Sequence, residues 1–131
     1  MVTDPIADFL TQLVNGSRAK RESITAPASN LKQAIAEALV RTGWLKSVVK
    51  RGKKVKKFLT CELAYQADGS AKITKVKRIS KTSRRVYVGL DDLKSVRQDF
   101  GLSIISTPKG ILTNKEAKKE KVGGEILFEI Y

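Results

Sequence analysis

Histidine is absent from the 131 residues, and cysteine occurs once, as Cys61. Without imidazole the chain lacks the usual near-neutral proton shuttle and the commonest metal ligand. One cysteine permits neither an internal disulfide nor a paired-cysteine metal knuckle, and an uncrosslinked chain suits a reducing cytosol. No apolar run reaches membrane-spanning length. The stretch from Met1 to Leu10 carries Asp4 and Asp8, without the basic segment and apolar run of a signal peptide. A P-loop, a GxGxxG fingerprint, a clustered carboxylate pair and a nucleophile–base set are all missing. The expectation is a soluble cytoplasmic protein that is not an enzyme, with no catalytic residue, cofactor, metal site, membrane contact or small-molecule substrate.

Acidic residues are the next shortage. Lys and Arg number 26 against 13 Asp and Glu, a net charge of +13. A field of that sign gathers polyanions. The shortage is regional. Residues 1–40 hold four basic and four acidic side chains, and residues 86–131 hold seven of each. Residues 41–85 hold fifteen basic side chains and only Glu62 and Asp68 in opposition, which accounts for the whole excess. A solvated surface does not call for so one-signed a run, and self-repulsion makes it a liability without a partner. Phosphate binding is the better account, with Lys53, Lys54, Lys56 and Lys57 in the densest run and Arg84 and Arg85 in a second.

Hydrophobic residues make up 41% of the chain, enough for a modest core. Asp4-Pro5 reads as a helix start, and Ile6, Phe9, Leu10, Leu13 and Val14 form one apolar stripe that Asn15-Gly16 closes. Ser23 to Ala26 before Pro27 is a short extended piece. Ser29-Asn30 caps a second helix whose stripe is Leu31, Ala34, Ile35, Ala38 and Leu39. Trp44 to Lys50 leads into a basic hairpin at Arg51-Gly52-Lys53, and Leu59, Cys61, Leu63 and Tyr65 alternate as a half-buried strand. After the Asp68-Gly69 turn, Lys72 to Ile79 reads as a third strand. The polar residues 80–85 join two lobes. Beyond them lie a strand at Arg85–Gly89, a short helix capped by Asp91-Asp92, a strand pair around residue 108, a helix capped by Asn114 and a last strand from Glu125. The fold class is therefore α+β in two small lobes. Residues 1–80 form an N-terminal α-β-α-β-β-β lobe with the basic hairpin, and residues 81–131 a mostly β lobe with short helices.

The sharpest local feature is Ser106-Thr107-Pro108-Lys109-Gly110. Pro at the second position and Gly at the fourth suit a tight turn, and Thr107 before Pro is pushed toward extended geometry. Two hydroxyls, an ammonium and the Gly110 backbone then share one tip, and such groups contact phosphates, ribose hydroxyls and base edges. Alone, this is a hairpin turn. Tyr87 could stack on a base or simply half-bury on a strand, and Glu125 could accept from a base or sit at a strand edge. Trp44 and Cys61 read as core residues.

The stretch Ile105 to Thr113, with Gly123-Gly-Glu-Ile-Leu127 behind it, resembles the bacterial-type small-subunit ribosomal protein eight family. Thr3-Asp4-Pro5-Ile6-Ala7-Asp8-Phe9-Leu10, Asn15-Gly16, Ile24 to Leu31 and the Arg85-Val-Tyr87 strand resemble it as well, in the same order along the whole chain. The resemblance implies a structural constituent and primary RNA-binding protein of the small ribosomal subunit. Such a protein recognises an irregular helix in the central domain of the ribosomal RNA and helps to assemble the subunit platform. It implies that Ser106, Thr107, Lys109 and Gly110 form the specificity loop, with Tyr87 and Glu125 on the same face. Its partners would be that RNA, neighbouring small-subunit proteins and its own messenger; its place would be the cytoplasm, or an organelle's stroma or matrix. Pro108 departs from the family, where many members carry a second Ser, and Thr82-Ser83 stands where Pro-Gly is frequent.

The rival readings are a general nucleic-acid-binding or DNA-architectural protein, and an RNA-processing enzyme. The first shares the charge but lacks a recognition helix with clustered base-reading side chains. The second lacks every catalytic constellation named above.

Overall fold

In a computed structural model the chain is described over residues 5–53, 56–81, 84–89 and 101–131. Its backbone separates into two compact units, Met1–Thr74 and Lys75–Tyr131. The expected α+β class holds.

In the first unit, α1 (Pro5–Arg18), β1 (Ser23–Pro27), α2 (Asn30–Arg41), β2 (Leu45–Lys53) and β3 (Lys56–Leu63) follow one another. The three strands form an antiparallel sheet in the order β1-β3-β2. Helix α1 packs on β1 and β3, and α2 on β2. Phe9, Leu13, Ile35, Leu39, Leu59 and Cys61 are buried in the core between helices and sheet.

Several local expectations shift here. Asn15-Gly16 does not close α1, because the helix runs on to Arg18 and Gly16 is buried. A Cβ at Gly16 would lie 2.7 Å from Ile24 Cγ2 and 3.1 Å from Leu63 Cδ1, so the missing side chain lets helix and sheet approach. The stop comes at Lys20, at φ +58°. The Lys20 N–H donates to Ser17 O and the Arg21 N–H to Gly16 O, a Schellman ending without glycine. In α2 the cap is Ser29, whose Oγ accepts from Lys32 N at 3.1 Å. Leu31 is turned outward while Lys32 is buried, its stem packed inside and its Nζ donating to Pro27 O at 3.1 Å. Residues Asp4 and Asp91–Asp92, read as caps, lie outside the described residues.

The basic strands pair as far as Lys53 with Lys56, beyond the expected turn at Arg51-Gly52-Lys53. The third strand of this sheet is β1 rather than the segment Lys72 to Ile79. Ser23–Pro27 pairs along the edge of β3 that the later segment would have needed, with Ile24 opposite Cys61. Trp44 is buried as expected, with Lys72 Nζ 5.6 Å from its ring centroid.

In the second unit, β4 (Val76–Arg78), β5 (Tyr87–Val88), β6 (Leu102–Thr107), β7 (Gly110–Thr113), α3 (Asn114–Glu120) and β8 (Gly124–Ile130) are described. The sheet order is β4-β8-β6-β7, and β5 also pairs with β8. All pairings are antiparallel. A register shift sets Ile104 opposite Phe128 but Ile105 opposite Ile126, which leaves Leu127 as the extra residue of a bulge. Leu127 is consequently buried beside Phe128, although the two are consecutive. Its carbonyl accepts from Ile79 N at 3.2 Å and from Arg78 at 2.9 Å. Thr113, not Asn114, caps α3 through a capping box with Glu116. Asn114 is the first helical residue, and its Oδ1 accepts from Ser103 N at 3.4 Å. Among the described residues no helix is long and apolar enough to cross a membrane.

Candidate nucleic-acid interface

The turn between β6 and β7 is built as its residue types dictate. Thr107 pairs with Gly110 across it, leaving Pro108 and Lys109 at the tip. Gly110 has φ +110°, a conformation that a side chain at this position would strain. The Thr107 hydroxyl is used internally. It donates to Gly110 O at 2.8 Å and accepts from Lys109 N at 3.1 Å. These two bonds brace the turn, so Thr107 shapes the tip, while Pro108 presets its backbone. Lys109 leans along the surface, its Nζ 3.3 Å from Glu120 Oε2, and both partners are about half exposed. Such a pair is weak and exchanges readily for a phosphate.

Cross-strand registry brings the other specificity candidates together. Ser106 on β6 pairs with Glu125 on β8, and Glu125 pairs with Tyr87 on β5. Directly paired residues of an antiparallel ladder point to the same face, so the three side chains form one row across the sheet. Tyr87 is 70% exposed, which leaves its ring open to stacking and sets aside the half-buried alternative. Glu125 is more sheltered and holds Arg85, NH1 to Oε2 at 3.3 Å. That pair explains how a carboxylate stands on a surface suited to phosphates: its charge is matched within the protein.

Three further residues position this row, a role that sequence reasoning did not give them. Gly124 enters β8 so close to β6 that a Cβ would lie 2.1 Å from the Ser106 carbonyl oxygen; at Gly123 it would lie 2.3 Å from that of Val88. The Gly-Gly pair therefore admits β6 and β5 on the two sides of β8, and its adjacency was the available signal. Ser80 is buried, its Oγ accepting from Val86 N at 2.9 Å and donating to Val86 O at 3.2 Å. It closes a bridge in which Lys81 and Arg84 exchange backbone hydrogen bonds at 2.8 and 3.0 Å. Ser80, Lys81, Arg84 and Arg85, from the segment expected as a connection between lobes, lie in the second unit between β4 and β5.

The phosphate candidates divide between the units. Lys56 and Lys57 are exposed at the start of β3, and Lys53 pairs with Lys56 through the backbone at the end of β2. Lys54 lies outside the described residues. Arg84 and Arg85 are exposed in the second unit, the latter shared with Glu125. Among the described residues no group of His, Cys, Asp and Glu is placed to hold a metal ion. Burial pushes the Cys61 thiol up to about 11, so it behaves as a small apolar core residue.

Basic strands, a braced hydroxyl-bearing turn and an open row of serine, carboxylate and tyrosine are the surface chemistry of a nucleic-acid-binding structural protein. Comparison with known proteins narrows the class. The family model described as Ribosomal protein S8 matches residues 4–131. Relatives named "Small ribosomal subunit protein uS8" from Streptococcus pyogenes strains Manfredo and SSI-1 are each 43% identical over 131 residues, covering 100% of this chain and 99% of theirs. The chain belongs to the ribosomal protein S8 family, whose members are structural ribosomal proteins rather than enzymes. The resemblance read from the sequence is thereby established.

Proposed function

We propose that the chain is a primary RNA-binding constituent of the small ribosomal subunit. In this reading it recognises an irregular helix in the central domain of the small-subunit RNA through the β6–β7 turn, and helps to assemble the subunit platform. The observation that carries the reading is the row Ser106–Glu125–Tyr87 beside the braced turn. A flat row of donor, acceptor and aromatic face suits a distorted minor groove, where bases are partly unstacked and ribose hydroxyls are displayed. The lysines at the β2–β3 end supply affinity that does not depend on RNA sequence. Neighbouring small-subunit proteins are the further partners, in the cytoplasm or an organelle's equivalent. A messenger that copies the same irregular helix would be bound by the same row.

Footprinting on naked small-subunit RNA tests this, with protection expected at one irregular helix of the central domain. Protection spread over unrelated helices would reject it. A DNA-architectural role is the competing reading, and duplex DNA displacing the cognate RNA at equal concentration would favour it.

A further inference from the structure

The second candidate surface lies on the first unit. One face of its sheet carries Ile24, Ala26, Leu59, Cys61 and Leu63, all buried beneath the helices. The registry sets three rows on the other face: Pro27–Phe58–Arg51, Thr25–Thr60–Val49 and Ser23–Glu62–Ser47. Two large apolar side chains, Phe58 at 41% exposure and Val49 at 43%, stand open there beside the exposed Pro27. They are diagonal neighbours across β3 and β2, close enough for an aromatic ring to reach. Phe58 stands on the central strand of the sheet, on the face turned away from the buried core.

The surrounding charge says what kind of partner suits the patch. Arg51 stands directly opposite Phe58, and Lys56 lies two residues along the same strand face. The single acid among these rows, Glu62, is taken up within the protein, accepting from Ser47 Oγ at 3.0 Å and pairing with Lys46 at 3.4 Å. Pro27 and the hydroxyls of Thr25, Thr60 and Ser23 fill the remaining positions. Two partly exposed large apolar side chains and one proline fall far short of the roughly 800 Å² that each partner of a stable protein–protein interface covers. One ring flanked by cations and hydroxyls is instead the size of one nucleotide step.

We propose that this face is a second RNA contact, which stacks a base of single-stranded RNA on the Phe58 ring while Arg51 and Lys56 hold the adjoining phosphates. Val49 covers the edge of the same base or its neighbour's ribose. The proposal rests on the chain being an RNA-binding protein, but not on the β6–β7 turn or on any particular helix. It assigns the first unit to an unpaired strand and leaves the irregular helix to the second.

The probe is a ten-nucleotide oligouridylate carrying 5-iodouridine, which forms no helix, mixed with the full chain. Irradiation should attach it to Phe58, as mapped by mass spectrometry. Phe58→Leu keeps the apolar surface but removes the ring, and should lose the adduct and bind the strand about tenfold more weakly. Phe58→Tyr should retain both, and a Ser106→Ala/Thr107→Ala variant should bind the strand like the wild type. Equal affinity of wild type and Phe58→Leu overturns the proposal, as does an adduct on Tyr87. Failure of the wild type to bind the strand while it binds the irregular helix overturns this site alone. Binding of the strand without the helix overturns the proposed function and leaves this site standing. Loss of a neighbouring ribosomal protein in Phe58→Leu, with no strand binding by the wild type, gives the face to a protein instead.

Discussion

Gly124→Ala tests how the recognition row is held. The added Cβ would meet the Ser106 carbonyl oxygen at 2.1 Å, its carbon at 2.9 Å and Thr107 Cα at 3.2 Å. Against the 3.0 Å that real Cβ atoms respect, the shortfall is about 0.9 Å. The obstructing atoms are backbone, so no rotamer change relieves the clash. Strands β8 and β6 must part at the point where Ser106 faces Glu125. Overpacking of this kind costs about 1–3 kcal/mol, and the loss of an adjacent ladder bond adds about 1 kcal/mol. The expected destabilisation is therefore ~2–4 kcal/mol, read as a lowered urea midpoint. Below that midpoint the folded variant should bind the cognate helix more than tenfold more weakly, while its affinity for random RNA, which the proposed function assigns to the lysines, should stay near wild type. Gly110→Ala is the contrast. No heavy atom lies within 4 Å of its Cβ position, so only the φ of +110° resists, at roughly 1–2 kcal/mol. An unchanged midpoint and unchanged cognate affinity for Gly124→Ala would refute the close-approach reasoning.

Thr107→Val should release both bonds that brace the turn and cut the preference for cognate over random RNA severalfold, whereas Thr107→Ser should keep it; equal preference in both variants would show that the brace is idle. Replacing Lys56 and Lys57 by Ala should lower the log–log slope of RNA affinity against salt by about 0.7–0.9 for each phosphate no longer neutralised, and an unchanged slope would make these lysines a solvated face. The raised Cys61 pKa carries a definite sign. Because burial lifts it from 9.0 to about 11, its contribution to stability is complete below pH 9 and lost as pH rises from there through 11. Unfolding free energies from urea titrations across that window should fall more steeply for the wild type than for Cys61→Ala, by about 1.4 kcal/mol per pH unit, and parallel curves would contradict the burial.

Much of the candidate site was legible because its signals are covalent or short-range. The braced turn follows from Thr-Pro-Lys-Gly, in which Pro108 sets φ, Gly110 accepts a positive φ and the Thr107 hydroxyl reaches only its neighbours. The motif order that resembles the ribosomal family needs no coordinates at all. Helix termini were less legible. Asn15-Gly16 has the chemistry of a stop, yet Gly16 serves the packing of α1 on Ile24 and Leu63, and Lys20 turns the chain instead. Local propensity gave way to a tertiary contact that local sequence does not encode.

By itself, the sequence determined the charge map, the exclusion of histidine and disulfide chemistry, and the composition of the recognition turn, since these are sums and neighbour relations along the chain. Only the tertiary structure decided which segments share an edge. Ser23–Pro27 rather than Val76–Arg78 takes the side of β3, and the bulge at Leu127 sets the register that aligns Ser106 with Glu125 and Tyr87. Strand pairing is a competition between distant segments for the same hydrogen-bonding edge, and a shift of one residue turns a side chain to the opposite face. The row proposed to read RNA, and the open Phe58 on the first unit, exist only once that competition is settled.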